Sequence, residues 1–570
     1  MPESVKIVFG LLGGLALFLY GMNSMSEALQ KAAGEKMKKI LSFLTKTPVS
    51  GALAGALVTA ILQSSSATTV MVIGFVSAGL MGLPQAISVI FGANIGTTMT
   101  AQLIAFNISD YIYPIIFIGF IVNFLSKREK VKNIAMVIFS FGLLFEGISI
   151  MSSVMKPLAA SPFFTNLMGR VSNQPVLGVL VGMCMTLVVQ SSSATIAVLQ
   201  SFAQQPGADG IHSVIGLSGA IPILLGDNIG TTITALLASI GQSKNAKRTA
   251  IAHSCFNISG TLVALPLLPL FIKWVQFISP RGNELEIISR QIANAHTTFN
   301  VVCTLVWLPL IHVMVKIVMA IIPGEDTADM AAGKSAYLDK KMVGQPMAAM
   351  YLVSKEIERC LGSTERLFAL MRDEIAGKHA VKAEDSFDTA YENAKHVQQA
   401  IIDYISEMFS IGSMNQEQSE EAAGFLAVIN DIDRVSDRCN DIVRGSRTAY
   451  LDGHPFSADA VAELNNCVDA AKKMFGQAMA MLKEGSYEEA SRIVKAKSKL
   501  RKSVKAFNKA HLARVKAGKC DEAMTPIYSN ILYNMERMGD NCVSIAEECL
   551  DDVHLVKPED TDMKPAVQAQ

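Results

Sequence analysis

Between Lys46 and Asp110 the chain carries no charged residue, and between Arg170 and Lys244 it carries only Asp209 and Asp227. Uncharged stretches of that length can cross a hydrocarbon core of about 30 Å more than once, so they constrain the N-terminal part to a membrane setting. The charges are displaced rather than missing: of the 100 Asp, Glu, Lys and Arg residues, 29 lie in 1–324 and 71 in 325–570. The chain therefore reads as an apolar part followed by a soluble part, with the boundary near Pro323-Gly324. Residues 5–30 have no basic stretch before the first apolar run, which predicts a retained span rather than a cleaved leader.

The apolar part is duplicated. Gln63-Ser64-Ser65-Ser66-Ala67-Thr68 recurs 127 residues later as Gln190-Ser191-Ser192-Ser193-Ala194-Thr195. Pro48-Val49-Ser50-Gly51 is echoed at the same offset by Pro175-Val176-Leu177-Gly178, and Gly92-Ala93-Asn94-Ile95-Gly96-Thr97-Thr98 returns 134 residues on as Gly226-Asp227-Asn228-Ile229-Gly230-Thr231-Thr232. Internal duplication is a common plan of transporters. Cytoplasmic loops are enriched in Lys and Arg. Residues 31–46 hold five lysines and one glutamate where 157–175 have one arginine, and Lys244, Lys247 and Arg248 answer a base-free loop near Asp110. The basic run at 127–132 likewise faces a balanced segment at 280–290. Matched loops that swap charge bias predict copies inserted in opposite orientations.

The expected fold is an all-α membrane protein with an inverted repeat, about 5–130 and 133–275. From an outside N-terminus come a span at 5–30, a re-entrant hairpin at about 48–82, an interrupted span at 84–106 and a span at 111–126. The order repeats upside down as 133–155, 175–204, 211–240 and 249–275, and an extra span at 291–322 leads to the cytoplasm. Residues 325–344 read as a linker, 345–552 as a helical domain and 553–570 as a flexible tail.

Four consecutive polar residues in an apolar run must face protein or a water-filled cavity. Irregular backbone there offers carbonyls to a hard cation and helix N-termini to an anion, and serine hydroxyls serve either. The candidate site is Gln63, Ser64, Ser65, Ser66 and Thr68 with Gln190, Ser191, Ser192, Ser193 and Thr195. Asn94, Thr97, Thr98, Asn228, Thr231 and Thr232 join it on the reasoning that their flanking glycines permit unwinding. The alternative is that Ser, Thr and Gly mediate close helix packing. No Lys or Arg lies in these blocks, so a bound cation would supply the positive potential that an anion needs. Asp227 replaces Ala93 of the first copy; it either binds a cation or proton or caps a half-helix. Glu146, matched to Tyr20, is a further intramembrane acid. In the matched blocks Ala252-His253 to Asn257 and Ala295-His296 to Asn300, a His and an Asn share a helix face, which favours interhelical hydrogen bonds over a proton relay. No nucleophile arrangement or metal-ligand spacing appears in the membrane part, which leaves little for an enzyme to use.

The paired Gln-Ser-Ser-Ser-Ala-Thr and Gly-x-Asn-Ile-Gly-Thr-Thr blocks resemble those of the sodium-dependent phosphate cotransporters, the type II Na⁺/phosphate symporter family. The resemblance covers roughly 5–322. It implies inorganic phosphate and Na⁺ as partners bound at the hairpin tips, a multi-pass homodimer in the lipid bilayer of the cytoplasmic membrane, and a transport domain moving against a scaffold.

The soluble part has 31 basic and 40 acidic residues, which gives nucleic-acid binding no electrostatic support. Its six cysteines are scattered, as suits a reducing cytosol. Asp433-Arg434-Val435-Ser436-Asp437 is echoed 103 residues later by Glu536-Arg537-Met538-Gly539-Asp540. Acids four residues apart share a helix side and could hold a divalent or trivalent metal, or join an ion-pair network with Arg434 and Arg537. The paired motif resembles PhoU, the bacterial phosphate-regulatory protein. That likeness implies a cytoplasmic, PhoU-like bundle of two three-helix repeats and metal binding by Asp433, Asp437, Glu536 and Asp540. The helix before the second motif departs from the pattern: it is basic at Lys495, Lys497 and Lys499 where the first repeat has Asp388 and Glu392.

Overall fold

The computed structural model describes residues 3–33, 47–106, 108–159, 170–171, 173–207, 209–324, 335–378, 385–412, 414, 416–482 and 487–550. These fall into two compact units, one up to residue 324 and one from 335. Both are helical, with a single isolated bridge between Pro206 and Ser213 among the described residues. Most of the two loops compared for charge, 34–46 and 160–169, lies outside the described residues, as do 325–334 and the tail from 551.

The first unit opens with α1 (Glu3–Ala33), then two short apolar helices, α2 (Pro48–Leu62) and α3 (Ser65–Ser77), and α4 (Leu83–Ile104). After α5 (Ile112–Leu125) the order repeats as α6 (Glu129–Ala159), α7 (Pro175–Val189), α8 (Ser192–Ala203) and α9 (Gly216–Ala238). It closes with α10 (Lys244–Ala264), α11 (Leu268–Ile278), α12 (Glu284–Trp307) and α13 (Ile311–Ile321). By length and composition, α1, α4, α6 and α9 can cross a membrane, and six spans result if the pairs α10–α11 and α12–α13 each count as one.

Three features differ from the expectation drawn from sequence. The expected interrupted spans are unbroken: α4 runs through Gly92–Thr98, and α9 through Gly226–Thr232 with Pro222 inside it. The expected spans at 249–275 and 291–322 are each sharply bent instead, by 94° and 87°. The cause is a repeated Leu-Pro-Leu at 265–267 and 308–310. Proline has no N–H for the helical ladder and its ring collides with the preceding turn. The span placed at 111–126 is only the 14-residue α5, about 21 Å long at 1.5 Å per residue.

The glycines of the repeated blocks serve contact rather than unwinding. A Cβ on Gly92 would lie 1.8 Å from the Ala52 carbonyl, and one on Gly55 2.2 Å from that of Val89, so α2 and α4 touch backbone to backbone. The second copy reproduces this, with Gly226 against the Val179 carbonyl at 2.0 Å and Gly182 against that of Ile223 at 1.9 Å. In α1 and α6, Gly14 and Gly147 face one another in the same manner. Between helices that have no water to exclude, such close approach is the main source of attraction.

The second unit is a bundle of α14 (Pro346–Ile375), α15 (Phe387–Ile411), α16 (Gln416–Leu451), α17 (Ala458–Met481), α18 (Tyr487–Lys516) and α19 (Met524–Leu550). One continuous apolar core runs through it, including Phe368, Phe425, Phe475 and Tyr528. All nine cysteines of the chain are free thiols.

If the glycine contacts hold the first unit together, Gly92→Ala and Gly226→Ala each lower its stability by about 1–3 kcal/mol. Gly13→Ala, where no atom lies within 4 Å of the new Cβ, leaves the detergent-solubilised unfolding midpoint unchanged.

Candidate functional site

The site is built from the two breaks between short helices. Thr59 on α2 and Thr68 on α3 are nine residues apart yet their hydroxyls lie 2.9 Å from each other. A continuous helix would separate them by about 13 Å, so the chain folds back on itself at Gln63. Thr186 and Thr195 repeat the contact at 3.3 Å around Gln190. Both turns use the same backbone device. Gln63 (φ 51°) and Gln190 (φ 55°) are the only non-glycine residues with positive φ among the described residues. A left-handed L-residue costs about 1–2 kcal/mol, and such outliers concentrate where function over-determines the backbone.

Directly after each glutamine a serine caps the next helix. Ser64 accepts from the Ala67 N–H and Ser191 from the Ala194 N–H, leaving the remaining first-turn donors of α3 and α8 without intrahelical partners. Both turns line one cavity of about 260 Å³, formed by Gln63–Ser66 and Gln190–Ser193 and closed by Asn23 and Ser26 of α1. Among the described residues no basic side chain lines it. The halves also grip one another across the cavity's flanks. Thr234 of α9 donates to Ser66 at 3.1 Å, and the Gln200 amide of α8 donates to the Ala101 carbonyl of α4 at 3.2 Å.

The turns are not equivalent. Gln63 is buried, its amide donating to the Ala60 carbonyl and its Oε1 accepting from Thr100 at 2.9 Å, whereas Gln190 is exposed. The other candidates lie away from the cavity lining. Thr97, Thr98, Thr231 and Thr232 donate back to carbonyls of their own helices. Asn94 and Asn228 each meet a histidine, His253 and His296, at 3.0 Å; the histidines make the expected interhelical bonds, whereas Asn257 and Asn300 donate to carbonyls of their own helices. Thr68 and Thr195 sit one turn behind the cavity, each donating to the carbonyl of its capping serine. Asp227 is fully buried and bonded to Thr186.

In the bundle, the four acids proposed as ligands are engaged by cationic side chains. Lys395 Nζ lies 2.6 Å from Asp433 and 3.0 Å from Asp437, and the Tyr391 hydroxyl donates to Asp437 at 2.8 Å. Burial, and then the neighbouring Asp437 carboxylate, push the Tyr391 phenol up, so it stays a donor. Asp540 pairs with Lys497 at 2.5 Å and Arg537 at 2.9 Å, and Glu536 with Arg501 at 3.1 Å. No group of three or more metal-ligating side chains gathers among the described residues. An ammonium group bridges the first acid pair, and the acids of the second are held by separate cations, Lys497 and Arg501, so these residues do not fit the metal expected of them. Asp388, one of the two further acids of the first repeat, is held by Arg447 at 2.8 Å.

Comparison with known proteins bears on both units. The model of the Na⁺/Pi-cotransporter family matches residues 17–153 and 147–268, one match per copy, and that of the PhoU domain matches 464–549. An uncharacterized protein of Bacillus subtilis, YqeW, is 35% identical over 266 residues, which are 47% of this chain and 84% of YqeW. The chain belongs to the Na⁺/Pi-cotransporter family. YjbB of Escherichia coli K12, provisionally named for inorganic phosphate export, is 23% identical over 95% of this chain and 97% of its own length. The rat sodium-dependent phosphate transport protein 2A is 38% identical over 97 residues, 17% of this chain and 15% of the rat protein. No solved structure matches the chain significantly.

For a cotransporter-family chain ending in a PhoU domain, several working residues fall outside the sequence motifs. Thr59 and Thr186 stand at the 127-residue offset and Thr100 and Thr234 at the 134-residue one, so the repeat itself carries the signal that marks them; Lys395 and Lys497, 102 apart, are one residue out of the 103-residue register.

Two substitutions separate backbone from side chain. Gln190→Gly relieves a left-handed L-residue, so it holds or raises the unfolding temperature, whereas Gln190→Val lowers it. In the bundle, Lys395→Ala costs about 1 kcal/mol or less, since the pair is partly exposed. It frees Asp433 and Asp437, so Mn²⁺ binding appears by calorimetry where the wild-type site gives none.

Proposed function

We propose that the chain moves inorganic phosphate across the cytoplasmic membrane together with Na⁺, binding both at the cavity where the Gln63 and Gln190 turns meet. The observation that carries this reading is the cavity itself: matched turns from both copies line it with helix N-termini and hydroxyls and, among the described residues, with no lysine or arginine. Unpaired N–H groups at helix starts attract an anion, and the hydroxyls and turn carbonyls suit a hard cation. Neither charge is neutralised by the protein, so each ion lowers the cost of holding the other. That mutual dependence is a physical basis for coupling.

In this reading the copies are inverted, α2–α3 and α7–α8 are re-entrant hairpins entering from opposite sides, and substrate sits near the midplane. Residues 1–324 form the transport domain. The PhoU domain extends over 345–552 as two three-helix repeats, faces the cytoplasm after a linker at 325–344, and regulates flux. A homodimer is the expected assembly, and no chemical reaction is catalysed. The name of the rat relative supports Na⁺ dependence. The full-length match to YjbB, C-terminal part included, favours a second reading in which net phosphate movement is outward.

Labelled phosphate flux in proteoliposomes, with Na⁺ gradients imposed in either direction, tests both. Flux follows the Na⁺ gradient and drops at least about tenfold in Gln63→Ala and Gln190→Ala, as expected when positioned hydrogen bonds to an ion are lost. Well-folded protein with no Na⁺-dependent phosphate flux in either direction refutes the proposal. Equal flux of sulfate reassigns the anion.

A further inference from the structure

Behind the cavity, the two copies build the same polar cluster with one difference. In the first copy Thr59 and Thr68 lie 2.9 Å apart, and Thr68 reaches the Ser64 carbonyl at 3.2 Å. Two hydroxyl protons find two acceptors in line, and neither hydroxyl is left without a partner. Ala93, buried at the matching position of α4, adds nothing polar. In the second copy the position of Ala93 is taken by Asp227, whose side chain is wholly buried.

The second cluster is crowded with oxygen. Thr186 Oγ1 lies 2.5 Å from Asp227 Oδ1, 3.1 Å from the Gly182 carbonyl and 3.3 Å from Thr195 Oγ1. Thr195 Oγ1 in turn lies 3.2 Å from the Ser191 carbonyl. A hydroxyl has one proton to give. Thr186 thus has one proton for three acceptors, and Asp227 Oδ2 is left buried with no partner. A proton on Oδ2 would have nothing to donate to, and a proton on Oδ1 would leave Oδ2 bare. A small cation touching both carboxylate oxygens and the two threonine hydroxyls supplies what the cluster lacks. A single carboxylate with neutral oxygens suits a monovalent hard ion; a divalent ion wants more formal charge.

We infer that Asp227, Thr186 and Thr195 form a Na⁺ site behind the second turn, with no counterpart in the first copy. It deepens the Na⁺-coupled reading above and rests on it for its role in transport. Because Thr195 also bonds the carbonyl of Ser191, whose side chain lines the cavity, an ion here steadies the turn that faces the anion. The broken match between copies thereby makes coupling asymmetric: one turn is set by protein alone, the other by protein and ion.

The test uses the full-length protein with Asp227→Ala, which installs the residue the first copy already accommodates, and with Asp227→Asn and Thr186→Val. The half-activating Na⁺ concentration for phosphate flux rises by about tenfold or more in both Asp227 variants, since the site loses its formal charge, and rises less in Thr186→Val. The phosphate half-saturation at saturating Na⁺ stays near the wild-type value. Independently of transport, the rise in unfolding temperature on replacing choline by Na⁺ shrinks in the same variants. Folded Asp227 variants with unchanged Na⁺ activation and unchanged thermal shift overturn the site. So does loss of pH dependence with Na⁺ dependence intact, which assigns a proton instead. Should wild-type protein show the thermal shift, lost in Asp227→Ala, but no Na⁺-dependent flux, the site stands and the transport reading fails.

Discussion

Backbone contact between helices is the constraint from which the rest of the membrane unit follows. Where Gly92 meets the Ala52 carbonyl and Gly226 meets that of Val179, any side chain would separate the helices. Held that close, α2 and α4 fix where Thr59 ends up, and α7 and α9 fix Thr186. Those threonines meet Thr68 and Thr195 on the returning helices, which sets the position of each turn. The left-handed glutamine, the serine cap and the open helix start are local consequences of a return that the glycine contacts define. Small residues thus act at the bottom of the hierarchy, and polar residues only at the top.

Much of this architecture is legible in the order of residues alone, because hydropathy and repetition are properties of the chain rather than of its packing. The gap in charge from Lys46 to Asp110 sets the membrane environment, and the doubled Gln-Ser-Ser-Ser motif marks the turns. The same logic fails at Gly92–Thr98 and Gly226–Thr232. A glycine permits both unwinding and close approach, and sequence does not say which neighbour will claim it. The bends after Ala264 and Trp307 are written into the chain as Leu-Pro-Leu, but apolar content on either side keeps each segment long enough to look like one straight span.

The bundle shows a different limit. Four acids at matched positions suggest a metal, yet basic side chains of the preceding helix hold them: Lys395 takes both acids of the first pair, while Lys497 and Arg501 take one each of the second. Carboxylate spacing along a helix is read easily; the cation that neutralises it arrives from another helix, and only packing says where. The basic Lys495-Ala496-Lys497 stretch is the one clue, and its first-repeat counterpart, Lys395, is hidden among acids. Cationic side chains and metal ions answer the same electrostatic demand, so acidic motifs alone do not separate them.

The two buried histidines carry a consequence for how the molecule is made. Asn94 belongs to the first copy, but its partner His253 lies 159 residues further along, and Asn228 waits in the same way for His296 of α12. During synthesis the first copy is therefore complete in sequence long before it is complete in bonding. Its central helix holds an unsatisfied amide oxygen until α10 emerges, and the second copy must await α12. Duplication gave this chain two similar halves, and a helix later in the chain completes the buried hydrogen bonding of each.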